Sequence, residues 1–346
     1  MLKKITKIFW LGRNYFLKIP TRIAIDLTDN CNHDCNFCIR EINSKKKDLD
    51  MIFWNKKLSD IKSYINEGFI ILGGGEPFLF KNIFEFLELS KKKGFYVHIM
   101  SNGSLITKDK AKKISEIGLD SISISIESLN SKIQNILTKR NSSLKKTLQG
   151  INNLKKYQNK NSQPKIFINV VIMKPNYKEL FNLLKFAKKK KLDGIKFLPL
   201  SYNPDNNKHQ KIHKNIMIGK NEKEEVSRII NDLIKLKKTE KIILNTKKDL
   251  KLIKKYYCST DHENKQLSCD LKRRVCIMPD GEVHLCSRLP SLGNIKKNDL
   301  KRLLKNKNHS ILLSKKCNYN CILSCARESS IKEKLNKIKN ILFISN

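Results

Sequence analysis

Short apolar segments alternate with amphipathic, lysine-rich segments about six times between Arg22 and Leu200. In the lysine-rich segments, apolar residues recur at helical spacing, and several of these segments end at a glycine that suits a helix cap. This repetition predicts an α/β fold of parallel βα units, a partial (βα)6 TIM-like barrel with functional loops at the carboxyl ends of its strands. The predicted strands are Arg22–Thr28, Phe69–Gly74, Tyr96–Ser101, Ser121–Ile126, Ile166–Met173 and Gly194–Leu200.

The character of the sequence changes after this region. Residues 201–220 are polar, contain Pro204 and predict a linker, whereas Glu222–Leu236 has the pattern of a helix. From Tyr256 onward, cysteines and turn residues predominate, as expected of a small domain held by metal rather than by a large core. We therefore divide the chain into a basic amphipathic lead-in (1–20), a core barrel (21–215), a linker helix region (216–255) and a small C-terminal domain (256–346).

The chain is strongly basic, with 71 Lys and Arg against 32 Asp and Glu and a formal net charge of +39. Such a charge raises the question of nucleic-acid binding. However, the lysines are spread over most predicted helices and accompany abundant Asn and Ile, a pattern that an A/T-rich genome produces. We interpret the charge as background and do not expect a nucleic-acid partner.

The sequence predicts no membrane span, because it has no run of about 18 uncharged apolar residues. The lead-in is basic and amphipathic, but Lys7 and Arg13 interrupt it too soon for the core of a signal peptide. It could rest on a membrane surface, although a helix packed on the barrel is the simpler interpretation. We therefore expect a cytoplasmic protein.

The ten cysteines form two groups, with three in Cys31–Cys38 and seven in Cys258–Cys325. In a reducing cytoplasm, grouped cysteines bind metal more often than they form disulfides. The first group is a C-x3-C-x2-C loop directly after the first strand, and its soft sulfur ligands suit an iron–sulfur cluster or zinc. With no fourth cysteine nearby, a 4Fe–4S cluster at Cys31, Cys35 and Cys38 would keep one iron open to an external ligand. The alternative is a structural zinc site completed by His33.

Further motifs follow the next predicted strands in chain order. Gly74, Gly75, Glu76 and Pro77 end the second strand, Ser101-Asn102-Gly103 ends the third, Ser123, Ser125 and Glu127 end the fourth, and Arg140 lies in the following loop. Together with the three-cysteine loop, this series resembles the radical S-adenosylmethionine (radical SAM) superfamily. No Gly-Lys-Ser/Thr sequence follows the glycines, so the second motif is not a Walker loop.

The resemblance implies a role for each motif in binding S-adenosylmethionine. The backbone of the glycine motif and Glu76 would hold the methionine amino group, and Ser101 and Asn102 would contact the ribose. Arg140 would bind the methionine carboxylate, a pairing that the planar guanidinium favours. The catalytic cluster would be held by Cys31, Cys35 and Cys38.

Three other residues take their interpretation from the same resemblance. Ser125 and Glu127 match the S-x-D pattern of the family, with glutamate in place of aspartate. Phe37 matches an aromatic residue that lies beside the adenine, although it could equally anchor the loop in the core. We interpret His98, which lies within an apolar strand, as a core histidine and not as a catalyst.

The C-terminal cysteines resemble the auxiliary-cluster extension of the family, the SPASM or shorter twitch domain. A Pro-Asp-Gly turn between Cys276 and Cys286 permits a hairpin that brings cysteines on both flanks together. The resemblance implies at least one auxiliary 4Fe–4S cluster, with Cys269, Cys276, Cys286 and Cys325 as the preferred ligands. Cys317 and Cys321 replace one of these or help to hold a second site, and Cys258 is an ordinary thiol.

The resemblance predicts an oxygen-sensitive enzyme that reductively cleaves S-adenosylmethionine to a 5'-deoxyadenosyl radical, which abstracts hydrogen from a substrate. The substrate would be a peptide, a protein or a small molecule such as a sugar, and an electron donor such as flavodoxin or ferredoxin would supply the electron. Two alternatives remain open. One is an RNA-modifying or RNA-binding iron–sulfur protein, which only the charge supports, and the other is a non-catalytic iron–sulfur scaffold.

Overall fold

An eight-stranded sheet organises the protein, and its strands run in the order β6-β5-β4-β3-β2-β1-β7-β8. The structure is a computed structural model that describes residues 6, 9–14, 17, 19–40, 42–43, 47–159, 163–201, 215–258, 271, 274–286 and 289–305. The strands are β1 (Arg22–Thr28), β2 (Phe69–Gly74), β3 (Tyr96–Ser101), β4 (Ser121–Ser125), β5 (Lys165–Ile172), β6 (Gly194–Pro199), β7 (Arg274–Ile277) and β8 (Val283–His284).

Helices connect the parallel strands β1 to β6 and continue after them. They are α1 (Met51–Ile65), α2 (Ile83–Lys92), α3 (Lys108–Ile117), α4 (Ser131–Thr138), α5 (Ser143–Tyr157), α6 (Leu180–Lys189), α7 (Lys223–Leu236), α8 (Lys247–Cys258) and α9 (Leu300–Lys305). Short 3-10 turns cover Pro77–Leu79, Tyr177–Glu179 and Lys220–Glu222. In the described part of the chain, no helix combines the length and apolar character that a bilayer crossing requires.

The two faces of the sheet differ in character because side chains alternate along each strand. In β5, Ile166, Ile168 and Val170 are completely buried against the helices. The intervening residues Phe167 and Asn169 are only partly buried and lie on the opposite face. One face of the sheet therefore forms the main core with the helices, and the other lines the interior of the partial barrel.

The predicted α/β partial barrel is confirmed. The bounds of β1, β2 and β3 agree with the predicted strands. Those of β4 and β6 differ by one residue at one end, and those of β5 by one residue at each end. These strands were predictable because each combines an apolar run with a polar or glycine boundary. The expected turn after Met278 joins β7 to β8, with Gly281 in the left-handed region at a φ of 91°.

The β7–β8 hairpin extends the barrel sheet. β7 pairs in parallel with β1, with Ala24 opposite Cys276. Val275 and Val283 are completely buried and belong to the same apolar core as the barrel. The segment that begins at residue 274 therefore shares both sheet and core with the barrel, while the domain boundary at residue 256 stays a prediction.

The opposite edge of the sheet is covered by the segment that leads into α8. Asn245 exchanges two hydrogen bonds of 2.8 Å with the backbone of Phe197 in β6. The hydroxyl of Tyr257 accepts a hydrogen bond from the N–H of Leu200 and donates one to the carbonyl of Ile172, at 2.7 and 2.6 Å. These bonds satisfy polar groups that an uncovered edge strand would leave unpaired.

The loop that follows β3 is held by a close approach of α5. A Cβ atom added at Gly150 would overlap the carbonyl oxygen of Gly103. Around this contact, Thr147 Oγ1 donates to the carbonyl of Asn102 and Asn153 Nδ2 to that of Ile106, both at 2.9 Å. The absence of a side chain at residue 150 therefore lets α5 fix this loop directly.

We expect Gly150→Ala to destabilise the protein by about 1–3 kcal/mol, because overpacking against a backbone carbonyl outweighs the gain in helix propensity. Gly12→Ala is a matched control, because residues 9–14 are also helical and a Cβ atom at residue 12 meets nothing within 4 Å. It should be neutral or stabilise by up to about 1 kcal/mol. Urea unfolding of both variants measures the difference, and equal stabilities would contradict the proposed close packing.

Candidate functional site

The loops after β1 and β2 are joined through their backbones. The N–H of Gly75 donates to the carbonyl of Thr28 and the N–H of Glu76 to that of Asn30, both at 2.8 Å. A Cβ atom added at Gly75 would overlap the carbonyl oxygen of Asn30, and Gly74 has a φ of 109°. The two glycines therefore allow the glycine motif to pack directly on the residues that precede Cys31.

The carboxylate of Glu76 is a meeting point for the motifs that follow β2 and β3. Only 1% of Glu76 is exposed. Its oxygens accept hydrogen bonds from Ser101 Oγ and the N–H of Asn102, both at 2.8 Å, and from the N–H of Phe78 at 3.3 Å. Burial raises the pKa of Glu76, and these donors together with the charge of Lys110 oppose that rise. The structure thus brings together three of the predicted binding residues, Glu76, Ser101 and Asn102.

A small polar network continues from Asn102 to the cysteine loop. Asn102 Nδ2 donates to Asn32 Oδ1 at 2.8 Å, and Asn32 Nδ2 donates to Ser104 Oγ at 2.9 Å. Ser104 Oγ closes the network by donating to Asn102 Oδ1 at 2.6 Å. Sequence reasoning missed Asn32 and Ser104, although both lie within or beside a motif that it had identified. The network fixes the orientation of the loop between Cys31 and Cys35.

The three cysteines of the first group are partly buried. The ionisation of one of these thiols affects the pKa of another. Burial raises the pKa of Cys31 to about 11, and the charges of Glu76 and Cys38 add to the rise. Burial also raises the pKa of Cys35, with further contributions from Cys38 and Cys31. Such thiols ionise readily only when a cation compensates their charges, as the irons of an iron–sulfur cluster do. The donor set therefore fits a 4Fe–4S cluster.

His33 is buried within the same loop. Burial lowers its pKa to about 4, and the charges of Arg140 and Lys146 lower it further. Its backbone N–H donates to Cys31 Sγ at 3.4 Å. Throughout the described ranges, no three His, Cys, Asp or Glu side chains lie close enough together to share one metal ion.

The far end of the cysteine loop is anchored to α4. The N–H of Asp34 donates to the carbonyl of Thr138 at 3.2 Å, and the N–H of Asn36 donates to that of Leu137 at 2.9 Å. Phe37 packs on a small apolar cluster of Leu137, Met173, Leu200 and Ile216. This packing supports the loop-anchor interpretation of Phe37, while contact with an adenine stays a prediction.

The remaining predicted binding residues surround the loop at different depths. Ser125 is partly buried at the end of β4, whereas Glu127 is 2% exposed and accepts a hydrogen bond of 2.6 Å from the N–H of Val171. Burial raises the pKa of Glu127 to about 8, and its charge contributes to the raised pKa of Cys35. Arg140 is exposed, but its charge lowers the pKa of Cys31. The charge of each of these two groups therefore changes the pKa of a cysteine in the loop.

Arg40 forms an ion pair with Asp26 inside the barrel, which sequence reasoning missed. Asp26 is 3% exposed. Burial disfavours the charge of Arg40, but the negative charges of Asp26, Cys276 and Cys38 raise its pKa above the ordinary value. The guanidinium therefore lies between the first cysteine group and the hairpin cysteine. The sequence offers no local signal for this pair, because Asp26 lies within β1 and Arg40 follows the cysteine loop.

The second cysteine group is only partly covered by the structure. Cys276 lies in β7 opposite His284, and it accepts a hydrogen bond of 3.4 Å from Arg274 Nη2. Burial raises its pKa. Cys286 follows β8 and is partly buried against the main core. The other expected ligands, Cys269, Cys317, Cys321 and Cys325, lie outside the described residues, so the auxiliary ligand set stays a prediction.

Comparisons with known proteins agree with this geometry. The family model of the Radical SAM superfamily matches residues 25–187. The tungsten-containing aldehyde ferredoxin oxidoreductase cofactor-modifying protein of Pyrococcus furiosus is 28% identical over 186 residues, which cover 52% of this chain and 52% of that protein. The GTP 3',8-cyclase of Helicobacter pylori is 26% identical over 282 residues, which cover 78% and 81% of the two chains.

Solved structures resemble the chain in fold. SuiB of Streptococcus suis, solved with S-adenosylmethionine, has a TM-score of 0.61 at 18% identity and covers 82% of this chain, which spans 65% of SuiB. The protein anSMEcpe, solved with AdoMet and the Cp18Cys peptide, has a TM-score of 0.63 at 19% identity. That match covers 94% of this chain and 100% of anSMEcpe.

The fold and the site define an α/β partial barrel with a three-cysteine loop at the carboxyl end of its first strand. Residues 25–187 of the chain belong to the radical SAM superfamily, whose members use a 4Fe–4S cluster and S-adenosylmethionine. The family identification is therefore confirmed, and so are a 4Fe–4S cluster and S-adenosylmethionine as the cofactors that this superfamily uses. The chain spans about half the length of the Pyrococcus relative that it matches.

His98 lies on the inner face of the barrel within a hydrogen-bonded row. Its Nδ1 lies 2.7 Å from Ser121 Oγ, which also accepts a hydrogen bond of 3.1 Å from the hydroxyl of Tyr96. Burial lowers the pKa of His98 to about 4, and the charge of Lys196 lowers it further. A neutral imidazole that accepts from Ser121 suits this arrangement and supports a structural role.

The pKa of His98 predicts a specific loss of stability in acid. Between pH 6.5 and 4 the unfolded chain binds a proton at this histidine and the folded chain does not, so the free energy of unfolding falls as the pH falls. We expect His98→Gln to remove this contribution, which amounts to up to roughly 3 kcal/mol because one pKa unit corresponds to about 1.36 kcal/mol. Denaturant unfolding of both proteins from pH 4.5 to 8 measures it, and parallel pH profiles would contradict it.

Proposed function

We propose that this protein is a radical SAM enzyme that reductively cleaves S-adenosylmethionine and uses the resulting radical to abstract hydrogen from a substrate. The observation that carries the proposal is that both neighbours of Cys31 are bonded to the predicted binding motifs. The backbone N–H of Glu76 donates to the carbonyl of Asn30, and Asn102, which the Glu76 carboxylate orients, donates to Asn32. A binding site for the methionine part of the cofactor would thereby be built directly on the loop that would hold the cluster.

Different residues of the chain would bind the cluster and the methionine part of S-adenosylmethionine. Cys31, Cys35 and Cys38 would hold a 4Fe–4S cluster, which when bound supplies the electron that cleaves S-adenosylmethionine into methionine and a 5'-deoxyadenosyl radical. Glu76, as a buried carboxylate with acceptor capacity beyond its three present donors, would bind the methionine ammonium group. Arg140 would bind the methionine carboxylate.

The ribose and adenine would be bound by residues at the next strand ends. Ser101 and Asn102 are already oriented by Glu76, so their remaining donor and acceptor capacity can face the ribose hydroxyls. Ser125 and Glu127 would complete this side of the site, and Phe37 would contact the adenine. The surrounding barrel would position the substrate carbon and exclude water from the radical.

We propose a peptide or a protein as the substrate. The support is the fold match that covers 94% of this chain and all of anSMEcpe, a protein solved with a bound peptide. SuiB, of which a structure with the precursor peptide SuiA has a TM-score of 0.63, supports the same choice. A small-molecule substrate is the second candidate, favoured by the GTP 3',8-cyclases that are 26–30% identical to this chain.

We further propose that the C-terminal region holds at least one auxiliary 4Fe–4S cluster. Cys276 lies beside β1 on the hairpin, and Cys286 follows the second strand of that hairpin. With Cys269 and Cys325 they would form a complete four-cysteine set, and Cys317 and Cys321 would replace a member or help hold a second site. Such clusters are stable in a reducing, oxygen-poor cytoplasm, where we place the protein.

Reductive cleavage is tested by the formation of 5'-deoxyadenosine. We expect anaerobically reconstituted protein with dithionite and S-adenosylmethionine to form it, and Cys38→Ala to reduce it to background because one ligand of the cluster is lost. Cys258→Ala is the matched control and should keep the activity of the wild type. If the wild type forms no product, or if Cys38→Ala forms as much, the protein is not a radical SAM enzyme and the scaffold alternative holds.

Iron content tests the auxiliary cluster. We expect about eight irons per chain for one auxiliary 4Fe–4S cluster beside the first, and about four after the double substitution Cys276→Ala and Cys286→Ala. Iron and acid-labile sulfide analysis measures both values. A wild type with about four irons would contradict the auxiliary site, and Cys258→Ala again serves as the control that should retain about eight.

A further inference from the structure

The outer surface of α4 combines an exposed aliphatic side chain with cations. Lys132 and Ile136 lie one turn apart on this helix, and Lys139 follows at its C-terminal end. All three residues are exposed, and the exposed fraction of Ile136 is 66%. We call these three residues the α4 outer face. A single exposed aliphatic side chain is common on protein surfaces, and Ile136 is distinguished by its position beside the cysteine loop and by the charge around it.

The C-terminal end of the same helix contacts the cysteine loop. Asn36 Nδ2 donates to the carbonyl of Ile136 at 3.0 Å, and the N–H of Asn36 donates to that of Leu137 at 2.9 Å. Asn36 directly follows Cys35 in the chain. One turn of helix backbone and one hydrogen bond thus connect the α4 outer face to a proposed cluster ligand.

The charge around the α4 outer face is positive. The sequence has no Asp or Glu between Glu127 and Glu179, and the exposed Lys145 and Lys146 lie in the first turn of α5 nearby. Asp34, in the cysteine loop, lies 3.4 Å from Lys139 in an exposed ion pair. An acidic partner would therefore be attracted to this face.

We propose that the α4 outer face is the docking surface for a small acidic one-electron carrier protein. The inference rests on the proposed function, because the electron it delivers is the one that reductive cleavage consumes. One electron leaves the reduced carrier, which is oxidised by one electron, and enters the cluster held by the cysteine loop. That electron then breaks the carbon–sulfur bond of S-adenosylmethionine.

The composition of the face favours a protein over a nucleic acid. Single-stranded nucleic acids are bound by cations interleaved with aromatic side chains on which bases stack. The exposed apolar group here is Ile136, which offers aliphatic contact within a ring of cations, as at the centre of a protein interface with a charged rim. An electron carrier bound at this face would also lie close to the cysteine loop, where the proposed function needs the electron.

A double substitution, Lys132→Glu with Ile136→Glu, reverses the charge and removes the apolar contact. Both positions are exposed, and neither residue has a role in the proposed binding of the cluster or of S-adenosylmethionine. Glutamate has a high helix propensity and is favoured at residue 132 in the first turn, while at residue 136 in the last turn its repulsion by the helix dipole is screened by solvent, so α4 should remain folded. Iron content should therefore equal that of the wild type.

The first helix provides a matched control. In α1, Ile52 is 86% exposed and Lys56, one turn later, is also exposed. The double substitution Ile52→Glu with Lys56→Glu makes the same change in charge and apolar surface. α1 connects β1 to β2, whereas α4 follows β4, so the control lies on a different part of the barrel surface.

The test measures binding and reduction separately. Binding of oxidised flavodoxin is followed by the fluorescence of its flavin, and 5'-deoxyadenosine formation is followed with reduced flavodoxin and, in parallel, with dithionite. We expect the α4 variant to bind flavodoxin about tenfold or more weakly and to lose flavodoxin-driven activity in proportion. Its dithionite-driven activity should equal that of the wild type, as should all properties of the α1 control. Binding to the wild type should weaken as salt rises from about 0.05 to 0.3 M.

The outcomes distinguish this inference from the proposed function. If the α4 variant binds flavodoxin like the wild type, or if the α1 control loses as much, the docking surface is wrong. The docking surface is equally wrong if the α4 variant loses affinity for an RNA oligonucleotide but not for flavodoxin. If the wild type gives no product even with dithionite, the proposed function fails, while the binding measurement still tests the docking surface.

Discussion

The buried carboxylate of Glu76 is the interaction on which the rest of the site depends. It is held almost without solvent, and its donors come from its own turn and from the end of β3. Because a buried carboxylate without partners is costly, these donors fix the positions of the two loops relative to each other. The Asn102–Asn32 bond then transfers that order to the cysteine loop. A single charged group thus sets the geometry of three loops that the sequence places far apart.

A second charged group relates the barrel to its C-terminal hairpin. The Asp26–Arg40 pair lies on the inner side of β1, where Arg40 is influenced by both Cys38 and Cys276. β1 is flanked by β2 and its cofactor motif on one side and by β7 and its cysteine on the other. The two proposed cluster regions are therefore built on a common strand, with a paired arginine between them.

The sequence predicted those parts of the molecule whose signals are local. The strands and the helical periodicity could be read directly, and the three-cysteine loop has a spacing that few other sites use. Hydrogen bonds between loops could not be predicted in this way, since Asn32 and Ser104 are ordinary loop residues until the fold brings them together. The pairing of β7 with β1 has no local signal either, because it joins residues at opposite ends of the chain. The same limit applies to Arg40, whose partner Asp26 lies on the preceding strand.

The parallel pairing of β7 with β1 has a consequence for the order in which the protein can be assembled. β1 is the first of these strands to leave the ribosome, yet the neighbour that completes its hydrogen bonding on one side is synthesised only after β2 to β6. Until then, one row of backbone N–H and C=O groups on a largely apolar strand stays available for pairing with other chains. Nascent protein that lacks the hairpin is therefore the form most exposed to aggregation, because the β1 edge of the sheet is covered only when β7 pairs with it.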